Sequence, residues 1–298
     1  MRPLEWSKSF GNMVIAVIVV AYTFNLTLDL QLFLLGFVGV AVLWSGLYTL
    51  NDYTDWEKDS KHDVKKYRPI PSGKVLPEIA LMFAILLIGI SFGIGIFIMQ
   101  ITMNFLYLYC LIAMLVNQIL YTTKPFNFKK RPILDLISGS MVNPIFRFYA
   151  GWVLFVAAFN APILIILFVV GLQFGGYTLY KIGSKKHEAE SGYRNSAVLF
   201  GERNLRILTY IVMGLGGLSF VFLTLNSKLK TFFPALESLG ELPLRFAWLV
   251  ILSLLATPLY WTSLKKPQGM NMKKMYRLVY VHYLLFILGF IIIFLLSP

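Results

Sequence analysis

The sequence predicts an all-α integral membrane protein with nine transmembrane helices. The chain has 298 residues, of which 58% are apolar and 16% are aromatic, and its mean hydropathy is +0.71. Apolar runs recur along its whole length, and about 20 helical residues are enough to cross the hydrocarbon core of a bilayer. Helices are the expected form because these runs are too long for the strands of a membrane barrel.

The predicted spans leave no room for a separate soluble domain. In chain order they are Asn12–Thr27, Gln31–Leu50, Pro77–Met99, Met103–Thr122, Ile133–Ala157, Pro162–Tyr180, Leu205–Leu225, Leu244–Leu264 and Met275–Leu296. We therefore expect residues 1–298 to form a single membrane domain. The polar start of the chain leads into a span without a clear small-residue cleavage site, so we expect no cleavable signal peptide.

Basic residues are concentrated on one side of the predicted membrane domain. With nine spans, one surface receives the amino terminus and the loops after spans two, four, six and eight. That surface holds all of the 27 Lys and Arg residues except Arg147, Lys228, Lys230 and Arg245. The positive-inside rule predicts that this surface is cytoplasmic. Despite the net charge of +13, we expect no nucleic-acid partner, because no soluble basic domain is present to hold one.

The end of the second span carries an acidic cluster. At 100° per residue, Asn51, Asp52, Asp55 and Asp59 fall within about 100° of arc on a helix. Carboxylates at such short distances repel one another unless a cation lies between them. Mg²⁺ prefers hard oxygen ligands, and the phosphates of a substrate can complete its coordination shell. The pattern predicts a magnesium site with these four residues as ligands. A solvated acidic helix end is the alternative.

Basic residues and a rigid turn follow the acidic cluster. Lys65 and Arg68 precede the sequence Pro69-Ile70-Pro71, and a turn with fixed backbone angles is suited to hold a guanidinium against the acidic helix. Acidic residues that can hold a metal, followed by basic residues that can bind phosphate, are typical of a site for a metal-bound diphosphate. We therefore expect Lys65 and Arg68 to bind phosphate. The alternative is that the basic run serves only to fix the topology.

A charged residue also lies inside the fifth span. Arg147 follows Asn143 by one helical turn, and a charge at this depth costs several kcal/mol unless it faces protein or water. We expect Asn143 and Arg147 to face a cavity and contact substrate. Structural pairing of Arg147 is the alternative.

Several of these motifs resemble the UbiA prenyltransferase superfamily. The resemblance covers most of the chain and is carried by Asn51-Asp52-x-x-Asp55-x-x-x-Asp59, Arg68-Pro69-Ile70-Pro71-Ser72-Gly73, the stretch Tyr121–Lys129, Asp135, and Arg147-x-x-Ala150-Gly151. It implies nine helices bundled around a central cavity. It also implies that Mg²⁺ bridges the aspartates to a substrate diphosphate, whose isoprenoid chain is transferred to an acceptor.

The chain departs from that family after the sixth span, where typical members carry a second aspartate-rich motif. The equivalent segment, Tyr177–Glu190, contains no Asp. Tyr177, Lys181 and Lys185 share a helix face there, and Lys186 follows. We expect these four residues to bind phosphate directly. The alternative for Lys185 and Lys186 is snorkelling from the end of the span. Whether Glu188 or Glu190 holds a second metal ion is left open.

The variant segment resembles one branch of the superfamily. With Arg194 and Arg203 beyond it, the segment is similar to enzymes that transfer phosphoribose from phosphoribosyl diphosphate to a polyprenyl monophosphate. The pattern Asp59-x-x-His62-x-x-Lys65 supports the same comparison. A basic second site suits an anionic lipid acceptor better than a neutral aromatic ring. The stretch Tyr121–Lys129, however, resembles ordinary prenyl-transferring members equally well.

Together these features predict a magnesium-dependent intramembrane transferase. We expect Asp52, Asp55, Arg68 and Lys181 to be catalytic, because the metal and the two cations would neutralise the departing diphosphate. The lipid substrate is a polyprenyl diphosphate or, in the phosphoribosyl alternative, a polyprenyl phosphate. A transporter or lipid-binding protein is disfavoured because the charges lie at one membrane face. Membrane lipids are the expected surroundings, and homo-oligomerisation is left open.

Overall fold

The computed structural model describes residues 5–61, 65–233, 239–253 and 272–296, and within these ranges its regular structure is helical, with no strand. The helices are α1 (Trp6–Phe24), α2 (Leu30–Asp59), α3 (Pro77–Thr102), α4 (Leu106–Thr122), α5 (Leu134–Leu136), α6 (Asn143–Trp152), α7 (Ile163–Glu190), α8 (Ser196–Leu229), α9 (Leu244–Ser253) and α10 (Met272–Leu295). Short 3₁₀ turns at Lys65–Tyr67 and Phe128–Lys130 lie in two of the connections.

The described helices agree with the predicted spans. Six of them, α1, α2, α3, α7, α8 and α10, are long and apolar enough to cross a membrane, and α4 and α9 are shorter apolar helices. The fifth span is composite, because a π-helical segment at Ile137–Val142 joins α5 to α6. The eighth predicted span, Leu244–Leu264, is described as far as Ser253, and its remainder lies outside the described residues. The all-α membrane architecture is therefore confirmed.

A proline explains where the fifth span departs from α-helical geometry. Pro144 has no amide hydrogen, and in a regular α-helix its ring would clash with the carbonyl of Ser140, four residues earlier. The π-helical segment ends just before this position. The wider turn also brings Gly139 so close to α7 that a Cβ there would lie 2.4 Å from the ring of Tyr177. The irregular segment thus packs directly against α7.

The innermost helix of the bundle is α1. All of its residues from Gly11 to Ala21 are buried, although the helix lies next to the amino terminus. It packs closely on α6, where a Cβ on Gly151 would lie 2.8 Å from the backbone of Met13. Because other helices enclose this part of α1, the side chains of Ser9 and Asn12 face protein and not lipid.

The most extensive helix pair is α7 with α8, and two glycines bring their backbones together. A Cβ on Gly216 would lie 2.9 Å from the Cα of Gly171, and a Cβ on Gly171 would lie 2.8 Å from the Cα of Gly216. Small residues at such crossings allow the close van der Waals packing that holds membrane helices together. This crossing lies about a third of the way along α7, and the polar carboxyl-terminal half of that helix follows it.

We predict that Gly216→Ala destabilises the protein by roughly 1–3 kcal/mol, because the new methyl group would overpack the contact with Gly171. Gly217 is exposed on the same helix and has open space where a Cβ would lie. Gly217→Ala is the matched control, and the higher helix propensity of Ala should raise stability there by up to about 1 kcal/mol. Thermal unfolding in detergent measures both variants. Equal shifts in the two would contradict the proposed close contact.

Candidate active site

The second helix extends well past its apolar part and carries the acidic cluster. The predicted span ends at Leu50, whereas α2 continues to Asp59. Asp52, Asp55 and Asp59 therefore lie on one continuous helix, as the sequence spacing predicts. Asp59 is buried, while Glu57, which the same spacing places on the opposite side, is exposed. Protein groups thus cover Asp59, whereas Asp52 and Asp55 on the same face stay partly accessible.

One arginine joins two of these carboxylates. Nη1 of Arg68 donates to Oδ2 of Asp59 at 2.7 Å and to Oδ1 of Asp52 at 3.1 Å. The turn after Arg68 is closed by a backbone hydrogen bond from Ser72 to the Arg68 carbonyl, and Gly73 adopts a φ of 75°, which favours glycine. The rigid turn therefore holds the guanidinium against the acidic helix, in agreement with the sequence-based interpretation.

The third aspartate is paired with a lysine whose role the sequence did not reveal. Nζ of Lys129 lies 2.6 Å from Oδ1 of Asp55 and 2.9 Å from Oγ1 of Thr122, and the lysine is buried. Burial lowers the pKa of Lys129, whereas the charge of Asp55 acts in the opposite direction. Thr122 also donates to Oδ1 of Asn51 at 3.1 Å. The end of α4 and the turn after it therefore complete the acidic site.

The oxygen atoms of Asn51, Asp52, Asp55 and Asp59 are the hard ligands that Mg²⁺ prefers. Within the described residues, no three His, Cys, Asp or Glu side chains are grouped so as to hold a metal ion. Asp52 and Asp59 nevertheless both contact the same nitrogen of Arg68. Their carboxylates are therefore close enough for one cation to contact both. The donor set therefore fits magnesium in its chemistry, and metal binding by these residues stays a prediction.

The carboxyl-terminal part of α7 contains a buried ion pair. Nζ of Lys181 lies 3.3 Å from Oε1 of Glu188, and both side chains are buried. Asn195 donates to Oε2 of Glu188 at 2.5 Å, and its own carbonyl oxygen caps the start of α8. Lys185 is half-buried and Lys186 is exposed. Of the three predicted phosphate-binding lysines, Lys181 is thus the one that is enclosed and fixed in orientation.

Two tyrosine hydroxyls close to this ion pair join α7 to α4 and α5. The hydroxyl of Tyr177 donates to the backbone carbonyl of Asp135 at 2.7 Å and lies 3.2 Å from the hydroxyl of Tyr121. The carboxylate of Asp135 accepts from the hydroxyl of Ser196 at 2.5 Å. These contacts join α4, α5, α7 and the start of α8. They place Tyr177 in a hydrogen-bonded network beside Lys181, whose Nζ lies 5.8 Å from the centre of the Tyr177 ring.

Tyr193 connects the turn between α7 and α8 to the acidic helix. Nζ of Lys58 lies 3.6 Å from the centre of its ring, and Nζ of Lys130 lies 4.9 Å from it. Burial and the nearby charge of Asp55 raise the pKa of the Tyr193 hydroxyl. A lysine on an aromatic face is attracted by the ring quadrupole. The sequence offered no signal for Tyr193, because its two lysine partners lie in distant segments.

The buried Arg147 is linked to the amino terminus through a tyrosine. Its guanidinium lies 3.7 Å above the ring of Trp44, and Nη2 lies 3.5 Å from the hydroxyl of Tyr48. Tyr48 in turn donates to Glu5 at 2.9 Å. Burial opposes ionisation of Glu5, but Lys8 and the tyrosine hydroxyls lower its pKa to about 2. The Nε of Arg147 is buried without a hydrogen-bond partner, so the arginine retains a donor for another group.

The remaining predicted residues fall into different environments. Asn143 accepts a hydrogen bond from Asn117 at 2.7 Å, which joins α6 to α4. The side chain of Lys65 lies outside the described part of the structure. Arg203 is exposed and lines a groove formed by Arg203, Arg206, Ile207 and Tyr210, none of which belongs to the acidic site. The structure thus brings Asp52, Asp55, Asp59 and Arg68 together but leaves Arg203 apart.

Comparison with known sequences gives one family match. A model of the UbiA prenyltransferase family matches residues 12–278, which is most of the chain. A 4-hydroxybenzoate octaprenyltransferase of Vesicomyosocius okutanii is 27% identical over 211 residues, or 69% of each chain. The corresponding enzyme of Aeromonas salmonicida is 30% identical over 60% of this chain and 59% of its own length. The alignment with the Aeromonas protein thus spans less than two thirds of it.

Solved structures show the same fold. A UbiA homologue from Archaeoglobus fulgidus, bound to DMAPP and Mg²⁺, superposes with a TM-score of 0.71 at 17% identity and covers 99% of this chain and 98% of that one. A UbiA homologue from Aeropyrum pernix, without ligand, gives a TM-score of 0.71 at 15% identity over 98% of both chains. At these identities the structural likeness shows the fold alone.

We predict that Glu188→Gln destabilises the protein by roughly 3–5 kcal/mol, because the buried ammonium of Lys181 would lose its ion-pair partner. Glu190 lies two residues further along and is exposed, so Glu190→Gln is the matched control and should have little effect. Thermal unfolding of both variants in the same detergent provides the measurement. If Glu188→Gln unfolds at the wild-type temperature, the ion pair does not hold this end of α7.

Proposed function

The chain belongs to the UbiA prenyltransferase family, and from this membership we propose that it moves an isoprenoid chain from a polyprenyl diphosphate to an acceptor, with release of diphosphate. The observation that carries the proposal is the aspartate face of α2, where Arg68 and Lys129 hold three carboxylates at one end of a membrane-spanning helix. We place this end at the cytoplasmic surface, because the basic residues are concentrated there.

We propose that Mg²⁺ is the cofactor and that Asn51, Asp52, Asp55 and Asp59 are the residues that would hold it. When bound, the ion would neutralise charge on the diphosphate leaving group. The homologue from Archaeoglobus fulgidus was solved with Mg²⁺ and DMAPP, which supports this assignment. Arg68 is shared by two of the carboxylates, so it is already positioned where an anionic substrate would meet the acidic helix.

The protein cations would bind the phosphate groups as the carbon–oxygen bond breaks. Loss of diphosphate leaves an allylic cation on the isoprenoid, and negative charge grows on the departing oxygens. Preorganised cations aimed at developing charge are the largest single contribution in many enzymes. Arg68 is fixed by two carboxylates and Lys181 by Glu188, so neither needs to reorganise far during the reaction. Tyr177, Lys185 and Lys186 would extend this phosphate-binding surface.

The acceptor would be bound deeper in the bundle. Asn143 and Arg147 lie on α6, and the unpartnered Nε of Arg147 is a buried donor suited to a polar or anionic group of the acceptor. The surrounding side chains exclude water, since Trp44 covers the guanidinium and α1 is buried along most of its length. A water-poor site limits capture of the carbocation by hydrolysis.

Phosphoribosyl transfer from phosphoribosyl diphosphate to a polyprenyl phosphate is a second candidate function. The observation that favours it is the pair of Lys181 and Glu188 in the last part of α7, which contains no Asp between Tyr177 and Glu190. A cation at that position suits a lipid monophosphate better than a neutral aromatic acceptor.

We predict that Asp52→Asn and Asp55→Asn each lower the turnover number at least about 100-fold, because the leaving diphosphate would lose charge stabilisation. Glu57→Gln is the matched control, since Glu57 is exposed on the same helix but faces away from the site. Product formation is measured with purified protein and Mg²⁺, and thermal unfolding confirms that the variants fold. Near-normal turnover in either aspartate variant would contradict the assignment.

The two candidate functions are separated by offering two substrate pairs to purified protein. One reaction contains polyprenyl diphosphate and aromatic or lipid acceptors, and the other contains labelled phosphoribosyl diphosphate and polyprenyl phosphate. We expect labelled lipid product from the first pair, and we expect removal of Mg²⁺ with a chelator to stop the reaction. Product from the second pair alone would establish phosphoribosyl transfer instead.

A further inference from the structure

The outer face of α8 carries a continuous stripe of exposed apolar side chains. Its members recur at intervals of three or four residues, which is the spacing of one helix face, and they are Ile207, Ile211, Leu215, Leu218, Phe222 and Leu225. The helix belongs to the spans that are apolar and long enough to cross a membrane. This stripe is therefore the face that α8 presents to lipid.

A charged residue lies just before the stripe. The helix is kinked at Gly201, whose φ is 76°, and Arg203 follows this kink by two residues and precedes Ile207 by four. Arg203 therefore occupies the same face of the regular part of α8 as the stripe, and it is exposed. No hydrogen bond or ion pair joins it to another residue in the described ranges of the chain. Placing a guanidinium against hydrocarbon costs free energy unless an anion or water accepts its hydrogen bonds. The position of Arg203 thus calls for a partner outside the protein.

Arg203 lines a groove of about 410 Å³ together with Arg206, Ile207 and Tyr210. These four residues follow the spacing i, i+3, i+4 and i+7, so all of them project from one side of α8. Arg206 is paired with Glu202, which compensates one of the two positive charges. The groove is left with a net charge of about +1, which matches the single negative charge of a phosphodiester.

The depth of the groove agrees with the level of lipid phosphates. Arg203 is the second residue after the kink at Gly201, so it lies at the start of the regular part of α8, at the depth where the apolar stripe begins. Arginine side chains at this depth extend their charged ends toward the headgroup layer. Tyrosine is also enriched where hydrocarbon meets the polar headgroups. The cationic end of the groove therefore lies beside the headgroups, and its apolar end lies beside acyl chains.

We propose that this groove binds the phosphate headgroup of an anionic membrane phospholipid. The guanidinium of Arg203 contacts the phosphodiester, and Ile207 and Tyr210 pack against the lipid next to it. A free phosphate ion would leave the apolar part of the groove exposed to lipid. The substrate diphosphate carries more negative charge than the groove can compensate, and the acidic site that would receive it is formed by other residues. The groove is thus separate from the proposed transferase site.

The test measures lipid binding to the purified full-length protein in a neutral detergent. Native mass spectrometry and thermal unfolding follow titrations with phosphatidylglycerol, phosphatidylcholine and inorganic phosphate. We expect phosphatidylglycerol to bind wild-type protein about fivefold more tightly than phosphatidylcholine, as expected for one basic residue beside an anionic lipid. Arg203→Gln should remove this preference, and Arg203→Lys should keep most of it. Because Arg203 is exposed, neither change should prevent folding.

Lys228→Gln is the matched control, since Lys228 is an exposed basic residue at the other end of α8. It should bind phosphatidylglycerol as the wild type does. An unchanged lipid preference in Arg203→Gln would overturn the proposal. Equal stabilisation by inorganic phosphate and phosphatidylglycerol would also overturn it and identify a site for a free anion. The readout is binding and not turnover, so the result does not depend on the proposed reaction.

Discussion

The neutralisation of the α2 carboxylates by protein cations is the interaction on which this structure depends most. Three aspartates on one helix face would repel one another, and Arg68 and Lys129 remove that repulsion from two directions. The same contacts fix the turn after Arg68 and the end of α4 against α2. Tyr193 then joins the turn between α7 and α8 to this assembly through Lys58 and Lys130. The neutralisation of the carboxylates on α2 thereby holds the neighbouring turns and helix ends together at this surface of the bundle.

The two polar regions differ in how their charges are held, and this bears on function. The carboxylates of α2 are partly exposed, with 20% of the Asp52 side chain and 18% of the Asp55 side chain accessible. The Lys181 side chain, in contrast, is only 3% accessible, and Glu188 and the tyrosine network surround it. An accessible acidic face suits the exchange of ligands, whereas an enclosed cation suits fixed orientation. The two regions are therefore suited to different tasks.

Sequence patterns predicted local features well and distant pairings poorly. The spans followed from hydropathy, and the common face of Asp52, Asp55 and Asp59 followed from helical spacing, because both depend on neighbours in the chain. The pairing of Lys129 with Asp55 joins residues 74 positions apart, and no local pattern encodes such a contact. Tyr193 was missed for the same reason. The composite fifth span had a local signal in Pro144, although hydropathy alone shows one uninterrupted run.

Arg68 and Lys129 lie at different distances along the chain from the aspartates that they pair with, and this has a consequence for biosynthesis. Arg68 follows Asp59 by nine residues, so it emerges from the ribosome almost together with the acidic end of α2. Lys129 follows only after α3 and α4 have been made. During synthesis the acidic helix is therefore neutralised in two stages, and Asp55 meets its partner only when the fourth helix is in place. Completion of the acidic face is in this way tied to the order in which the helices enter the membrane.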